Sequence, residues 1–121
     1  MHQVISESIL DVNSNIIQKV TAKQHDYNTR FIRVKFIDKG DEIELKAEYT
    51  YFFTVKRKDG SIKNFSCIFD LDGNSLLLPL NYWSLEYKGY SDAEVSIVDT
   101  NAKLTSAIFQ IHNLGKRYHL N

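Results

Sequence analysis

The sequence predicts an all-β fold: an antiparallel β-sandwich, immunoglobulin-like in topology, with roughly seven to nine short strands and one short helical turn near 81–87. A small closed barrel is the second choice. Three observations carry this. Apolar residues alternate with period two through most of the chain, the pattern of a strand with one face buried. Turn signals return at a spacing of about ten residues, too short for intervening crossover helices. The length of 121 residues, with 43% apolar and 12% aromatic content, suits one domain over residues 1–121 with a two-layer core.

The elements follow in order. The leading segment, about residues 2 to 20, carries "VISESIL" and "NSNIIQKV", one or two strands. In "RFIRVKF", Ile32, Val34 and Phe36 face one way and Arg33 and Lys35 the other. After the polar turn "DKGDE", Ile43, Leu45 and Ala47 repeat the pattern. "TYFFTVKR" sets Tyr51, Phe53 and Val55 against Phe52, Thr54 and Lys56. The tetrad Arg57-Lys58-Asp59-Gly60 has hairpin-turn chemistry, because Asp-Gly tolerates positive φ. "SIKNFSCIFD" then turns Phe65, Cys67 and Phe69 inward. The turn "DLDGN" leads into "SLLLPL", which Pro79 brings to an end. Residues 81–87, "NYWSLEY", are the one helical candidate, with Asn81 as its N-cap. "DAEVSIVD" places Ala93, Val95 and Ile97 inside, and "LTSAIFQI" closes the set after "DTNAK".

Charge and motifs remove several function classes. Lys plus Arg number 15 and Asp plus Glu number 15, so the basic excess that a general nucleic-acid binder uses to neutralise phosphates is missing. Lys56, Arg57 and Lys58 read as a solvated turn. The N-terminal "MHQVISESILDVN" has no signal-peptide pattern, and the apolar runs are too short to span a membrane. Cys67 is the only cysteine, so it forms no internal disulfide; on an apolar strand face it reads as an inert thiol. No phosphate loop, nucleophile elbow or helical His pair is present. His2, His25, His112 and His119 are scattered, which makes a metal-dependent hydrolase the weakest reading. Asp70, Asp72 and Asn74 resemble the start of a calcium loop, but the twelfth position, Asn81, lacks the bidentate Glu, and a β-turn at Asp72-Gly73 explains them. Asp41, Glu42 and Glu44 cluster at a turn where carboxylates are ordinarily wet. The sequence therefore predicts no enzyme, no catalytic or metal-binding residues and no cofactor.

The stretch "VTAKQHDYNTRFIRVKFID" carries a family likeness. Ala22, Lys23, Gln24, Asp26, Asn28, Thr29 and Arg30, followed by an alternating strand, resemble the opening of the N-terminal domain of phage baseplate upper proteins, from tailed phages and prophages of Gram-positive bacteria. "YFFTVKRKDGSIKNF" and "AEVSIVDTNAKLTSAIFQIHN" are similar to that family's Asp-Gly hairpin and closing hairpin, so the likeness runs over about residues 16–113. The family often has a Gly in a Pro-Gly context before the penultimate strand; here Gly89 is followed by Tyr90 and Ser91. Full-length members continue into stalks and host-facing modules; this chain shows no heptads, so stalk functions do not transfer to it.

The resemblance implies a virion structural protein in the tail baseplate, made in the bacterial host cytoplasm. It implies docking onto the tail hub, the distal tail protein, among other baseplate proteins, and positioning of receptor-binding proteins for host attachment. It also implies homo-oligomers, since full-length members are trimers, and it implies neither nucleic-acid nor membrane partners. Gln24, Asp26, Asn28 and Arg30 are the docking candidates. Physically, Asp26 and Asn28 can hydrogen-bond the main chain at the bend into the strand, with Arg30 paired to Asp26 or to another turn carboxylate. The alternative is a carbohydrate-binding module that stacks cell-wall saccharides on Tyr82, Trp83, Tyr87 and Tyr90. Those rings would more simply cap one end of the core.

Overall fold

The computed structural model describes residues 4–14, 16–22, 30–81 and 83–114, with Ile5 as main chain alone. The strands in chain order are β1 (Val4–Asp11), β2 (Gln18–Ala22), β3 (Arg30–Asp38), β4 (Asp41–Glu42), β5 (Thr50–Lys56), β6 (Ile62–Phe65), β7 (Ile68–Asp70), β8 (Ser75–Leu80), β9 (Gly89–Val98) and β10 (Leu104–Asn113). They make two five-stranded sheets. One runs β1-β3-β8-β7, with β4 against the end of β3; the other runs β2-β10-β9-β5-β6. The fold is all-β and sandwich-like, as the alternation predicts.

The leading segment holds two strands, and they belong to different sheets. β1 lies parallel to β3, and β2 lies parallel to β10. The expected antiparallel pairing holds at every other ladder and fails at these two. Alternation of period two is identical in parallel and antiparallel strands, so the pattern alone cannot separate them. The corner between β1 and β2 is fastened by Gln18. Asp11 N–H donates to Gln18 Oε1 at 2.6 Å, and Gln18 Nε2 donates to Asp11 O at 3.0 Å and to Ile108 O on β10 at 3.3 Å.

The core sits between the sheets and follows the alternation closely. Ile32, Val34 and Phe36 of β3 and Leu76, Leu78 and Leu80 of β8 are fully buried from one side. Phe53 and Val55 of β5, Val95 of β9 and Phe109 and Ile111 of β10 meet them from the other. The Phe53 ring stacks on Phe109 with centroids 6.3 Å apart and planes 6° apart, and meets Phe65 at 5.9 Å. Each such side chain contributes roughly 1.5–3 kcal/mol relative to exposure. Pro79 lies one residue before the end of β8, beyond the stretch that β7 pairs, where its missing N–H breaks no ladder.

The turns explain the remaining register. Between β3 and β4, Lys39 (φ 53°) and Gly40 (φ 87°) are both left-handed, the geometry of a two-residue type I′ hairpin. In the β5–β6 turn the positive φ falls on Gly60 (92°), and Arg57 N–H reaches Ser61 O at 2.8 Å.

Three expected elements differ. The single strand expected over "SIKNFSCIFD" is two, β6 against β5 in one sheet and β7 against β8 in the other, with Cys67 in the crossover between them, and the described residues hold ten strands where seven to nine were expected. The strand through Ile43, Leu45 and Ala47 ends at Glu42; Leu45 is still buried, but Ala47 is exposed. Side chains replace its ladder. Leu45 N–H donates to Asn74 Oδ1 at 2.7 Å, and Asn74 Nδ2 donates to Ile43 O at 2.9 Å. Tyr51 takes both groups of Lys46, accepting from its N–H at 2.9 Å and donating to its carbonyl at 2.6 Å. The helical turn at 81–87 is a single bend and not a helix. Asn81 does act as a cap, with Ser84 N–H on its Oδ1 at 3.1 Å, and Leu85 N–H bonds Asn81 O at 3.2 Å. The winding stops there because the Leu85 and Tyr87 carbonyls are taken by Asn113 Nδ2, both at 2.8 Å.

Candidate functional site

Of the docking candidates, Gln24, Asp26 and Asn28 lie outside the described residues. Arg30 opens β3, half-buried and opposite Leu80. β3 is an interior strand of its sheet, between β1 and β8, so Arg30 does not lie on a sheet edge.

The aromatic group divides in two. Tyr82 lies outside the described residues. Trp83 packs against the core and tilts onto Phe65 at 5.8 Å. Arg57, expected to be a solvated turn residue, instead sits over both Trp83 and Tyr87, with its guanidinium carbon 4.4 Å and 4.9 Å from their ring centroids. Lys63 reaches the Trp83 ring at 4.9 Å. Arg57 also pairs with Asp59 at 2.8 Å and with Glu86, and its side chain is only 10% exposed. This arrangement binds the β5–β6 turn to the segment before β9. Tyr90 belongs to another place: it is the second residue of β9, stacks on His112 of β10 at 4.4 Å, and has Lys19 of β2 at 5.1 Å. The three described rings, Trp83, Tyr87 and Tyr90, therefore do not share one platform.

The Arg57 clamp was invisible in sequence because an Arg in a Lys-Arg-Lys turn looks like any wet cation. It has an electrostatic signature. The Arg57 hydrogen bond, followed by the Ser61 N–H, holds the Asp59 carboxyl well below the usual carboxylate range. A carboxyl lowered in the folded state stabilises the protein above its unfolded value, about 4, and that contribution is lost as pH falls from there through the folded value. Arg57→Ala is expected to lower the melting temperature by several degrees at neutral pH, with the gap to the native protein narrowing below about pH 4. Arg57→Lys should fail to restore it, since an ammonium cannot serve two carboxylates and two ring faces as the flat fork does. Melting curves collected from acid to neutral pH decide this. A gap independent of pH would mean that the ring contacts alone act.

The acidic turn is occupied by the fold itself. Asp70 is bonded to Arg33, which also donates to Ser75 Oγ at 3.0 Å, and Gly73 N–H points at Asp70 Oδ1 at 3.4 Å. The Arg33 bond lowers the Asp70 pKa. Gly73 closes the corner: a Cβ there would stand 3.1 Å from Arg33 Nη1, Asp70 Oδ2 and Ser75 Oγ. Asn74, left-handed at φ 49°, bonds Glu42 at 2.6 Å as well as the 43–45 main chain. Among the described residues no group of three or more His, Cys, Asp or Glu could hold a metal ion. Burial pushes the Cys67 thiol up to about 12, far from a nucleophile's range.

What the outer surface does offer is apolar. On the outside of the β2-β10-β9-β5-β6 sheet, Ile108 is 68% exposed, and Ile16, Ile17 and Ile62 are comparably bare. Ile108 is shared by two shallow hollows. Ile16 and Ile17 line one with Asp92 and Gln110; Ile62 lines the other with Thr54, Lys56 and Glu94. Single exposed apolar residues are ordinary, but a run of isoleucines rimmed by charges is the composition of a protein contact surface. These isoleucines were not singled out in the sequence, although Ile62 and Ile108 fall on the outward phase of their strands and are too apolar for that face.

A profile of the BppU N-terminal domain matches residues 3–113. Among solved structures, the N-terminal domain of phage TP901-1 ORF48 is similar, with a TM-score of 0.64 at 16% sequence identity, over 90% of this chain and 98% of that one. At that identity the likeness speaks for the fold. No curated protein sequence matches the chain. The profile takes in β1 through β10, both parallel pairs included. The chain belongs to the BppU N-terminal domain family, structural domains of phage baseplates.

Proposed function

We propose that this domain docks onto the tail hub, the distal tail protein, and so helps to position receptor-binding proteins for host attachment, after synthesis in the host cytoplasm and assembly into the virion. The family match over residues 3–113 carries the reading. The outward isoleucine face supports it, because it offers apolar area for a stable protein partner without disturbing the core. The segment with Gln24, Asp26 and Asn28, leading to Arg30, is the second candidate for the contact.

A pull-down or mass measurement with the cognate hub protein tests this. The native domain is expected to form a complex at micromolar concentration. Ile108→Asp should weaken it at least tenfold while leaving the melting temperature within a degree or two, since the residue is exposed. Absence of a complex with the native chain would overturn the docking role.

A further inference from the structure

β1 is the open flank of its sheet. On its inner side Val12 N–H, just past the strand, reaches Ile37 O at 3.0 Å. Asp11 N–H turns the opposite way, to the Gln18 amide. A parallel strand points both main-chain groups of a residue to one side and those of the next residue to the other. Counting back from Asp11, Ile9 and Glu7 present their N–H and C=O groups to the open side. Gln18 satisfies the outward groups of Asp11, and among the described residues nothing satisfies those of Ile9 and Glu7. The run Ser6–Leu10 contains no Lys and no Pro, the usual guards of an edge. The Gln18 amide bounds it at one end, and a register shift between Val4 and Ser6 bounds it at the other.

The side chains beside this edge carry complementary charge. Lys35 lies in register with Ile9 and has no carboxylate partner among the described residues. Arg33 lies in register with Glu7, Nε to Oε1 at 3.4 Å, and is held on its other side by Asp70. Glu7, Ile9, Arg33 and Lys35 line a groove of about 710 Å³.

We propose that β1 pairs antiparallel with β1 of a second copy across a two-fold axis at Ser8, joining the two sheets edge to edge. In this register Glu7 of each copy faces Ile9 of the other, so both pairs exchange their main-chain hydrogen bonds. Lys35 then reaches over Ile9 to the opposing Glu7. Neighbouring registers fail. An axis at Glu7 sets two carboxylates against each other, and an axis at Ile9 sets Glu7 against Asp11, whose main-chain groups Gln18 already holds. This flank lies on the sheet opposite the isoleucine face, so hub docking and self-pairing can succeed or fail separately.

Sedimentation equilibrium of the native domain from about 10 μM to about 1 mM tests the pairing, since a short edge contact operates in that range. The mass is expected to rise toward that of a dimer. Ile9→Pro removes one outward N–H and leaves the ladder to β3 intact; it should weaken the dimer at least tenfold with little change in melting temperature. Lys35→Glu should weaken it similarly, and serves if the proline variant does not fold. A native chain that stays monomeric overturns the proposal, even if it takes up a strand from another tail protein. So does a dimer that survives both variants or is lost only in Ile108→Asp.

Discussion

Phe53→Ala is expected to cost about 3–5 kcal/mol, a large share of the roughly 5–15 kcal/mol that holds a domain of this size together. The residue is fully buried on β5, stacked on Phe109 and tilted onto Phe65. Truncation therefore opens a void bounded by two rings fixed on different strands, β10 and β6, neither of which can follow without breaking its own ladder. With a urea slope of about 1–3 kcal/mol per molar, the unfolding midpoint should drop by roughly 2 M. Phe52, its neighbour in the chain, points to the outer surface and is 48% exposed. Phe52→Ala should stay within about 0.5 kcal/mol of the native protein. Equal shifts for the two variants would mean that β5 sits one residue out of register, since such a slip exchanges its two faces.

That contrast shows what could be read in the sequence. The faces of β3, β5 and β9 were all legible, because a strand with one wet side must alternate; Ile32, Val34, Phe36, Val55, Ala93, Val95 and Ile97 are buried as expected. Pairing direction was not legible, and β1 and β2 were placed only as one or two strands. Their partners, β3 and β10, are chosen by the three-dimensional path of the 12–17 corner, which the Gln18 amide fastens. Turns showed the same division. The Asp-Gly of the β5–β6 hairpin announces its left-handed residue, Gly60, whereas the β9–β10 turn places Ala102 at φ 62°, with Asp99 Oδ1 accepting from Asn101 N–H and Lys103 N–H at 2.9 Å each. An alanine carries no sign of that geometry. For the site, the family likeness was legible as ordered motifs. The Arg57 clamp and the Asn74 latch were not, because each depends on groups brought together from distant segments.

Asn113→Ala is expected to cost about 2–4 kcal/mol, although the residue occupies the last position of β10 and looks like an ordinary strand end. Asn113 is 1% exposed, and its amide donates to the Leu85 and Tyr87 carbonyls at 2.8 Å each. Those bonds satisfy two carbonyls that even a helix over 81–87 would have left open in its last turn. Alanine leaves two carbonyls without their donor, that of Leu85 buried, with the residue 4% exposed, and that of Tyr87 part-buried. Asn113→Asp should be worse at neutral pH, because a carboxylate would face two carbonyl oxygens with nothing to donate. Its carboxyl would be raised in the folded state, so the penalty falls as the solution is acidified and the group regains a proton. The alanine variant has no such group, and the two stability curves should therefore converge or cross in acid. Hydrogen exchange should rise at residues 83–88 in both variants. The Arg57 clamp would loosen with them, because Trp83, Glu86 and Tyr87 hold their positions over the β5–β6 turn only while Asn113 keeps the bend in place. Parallel curves for the two variants, with unchanged exchange at 83–88, would show that the bend is held by the packing of Leu85 and Trp83 alone.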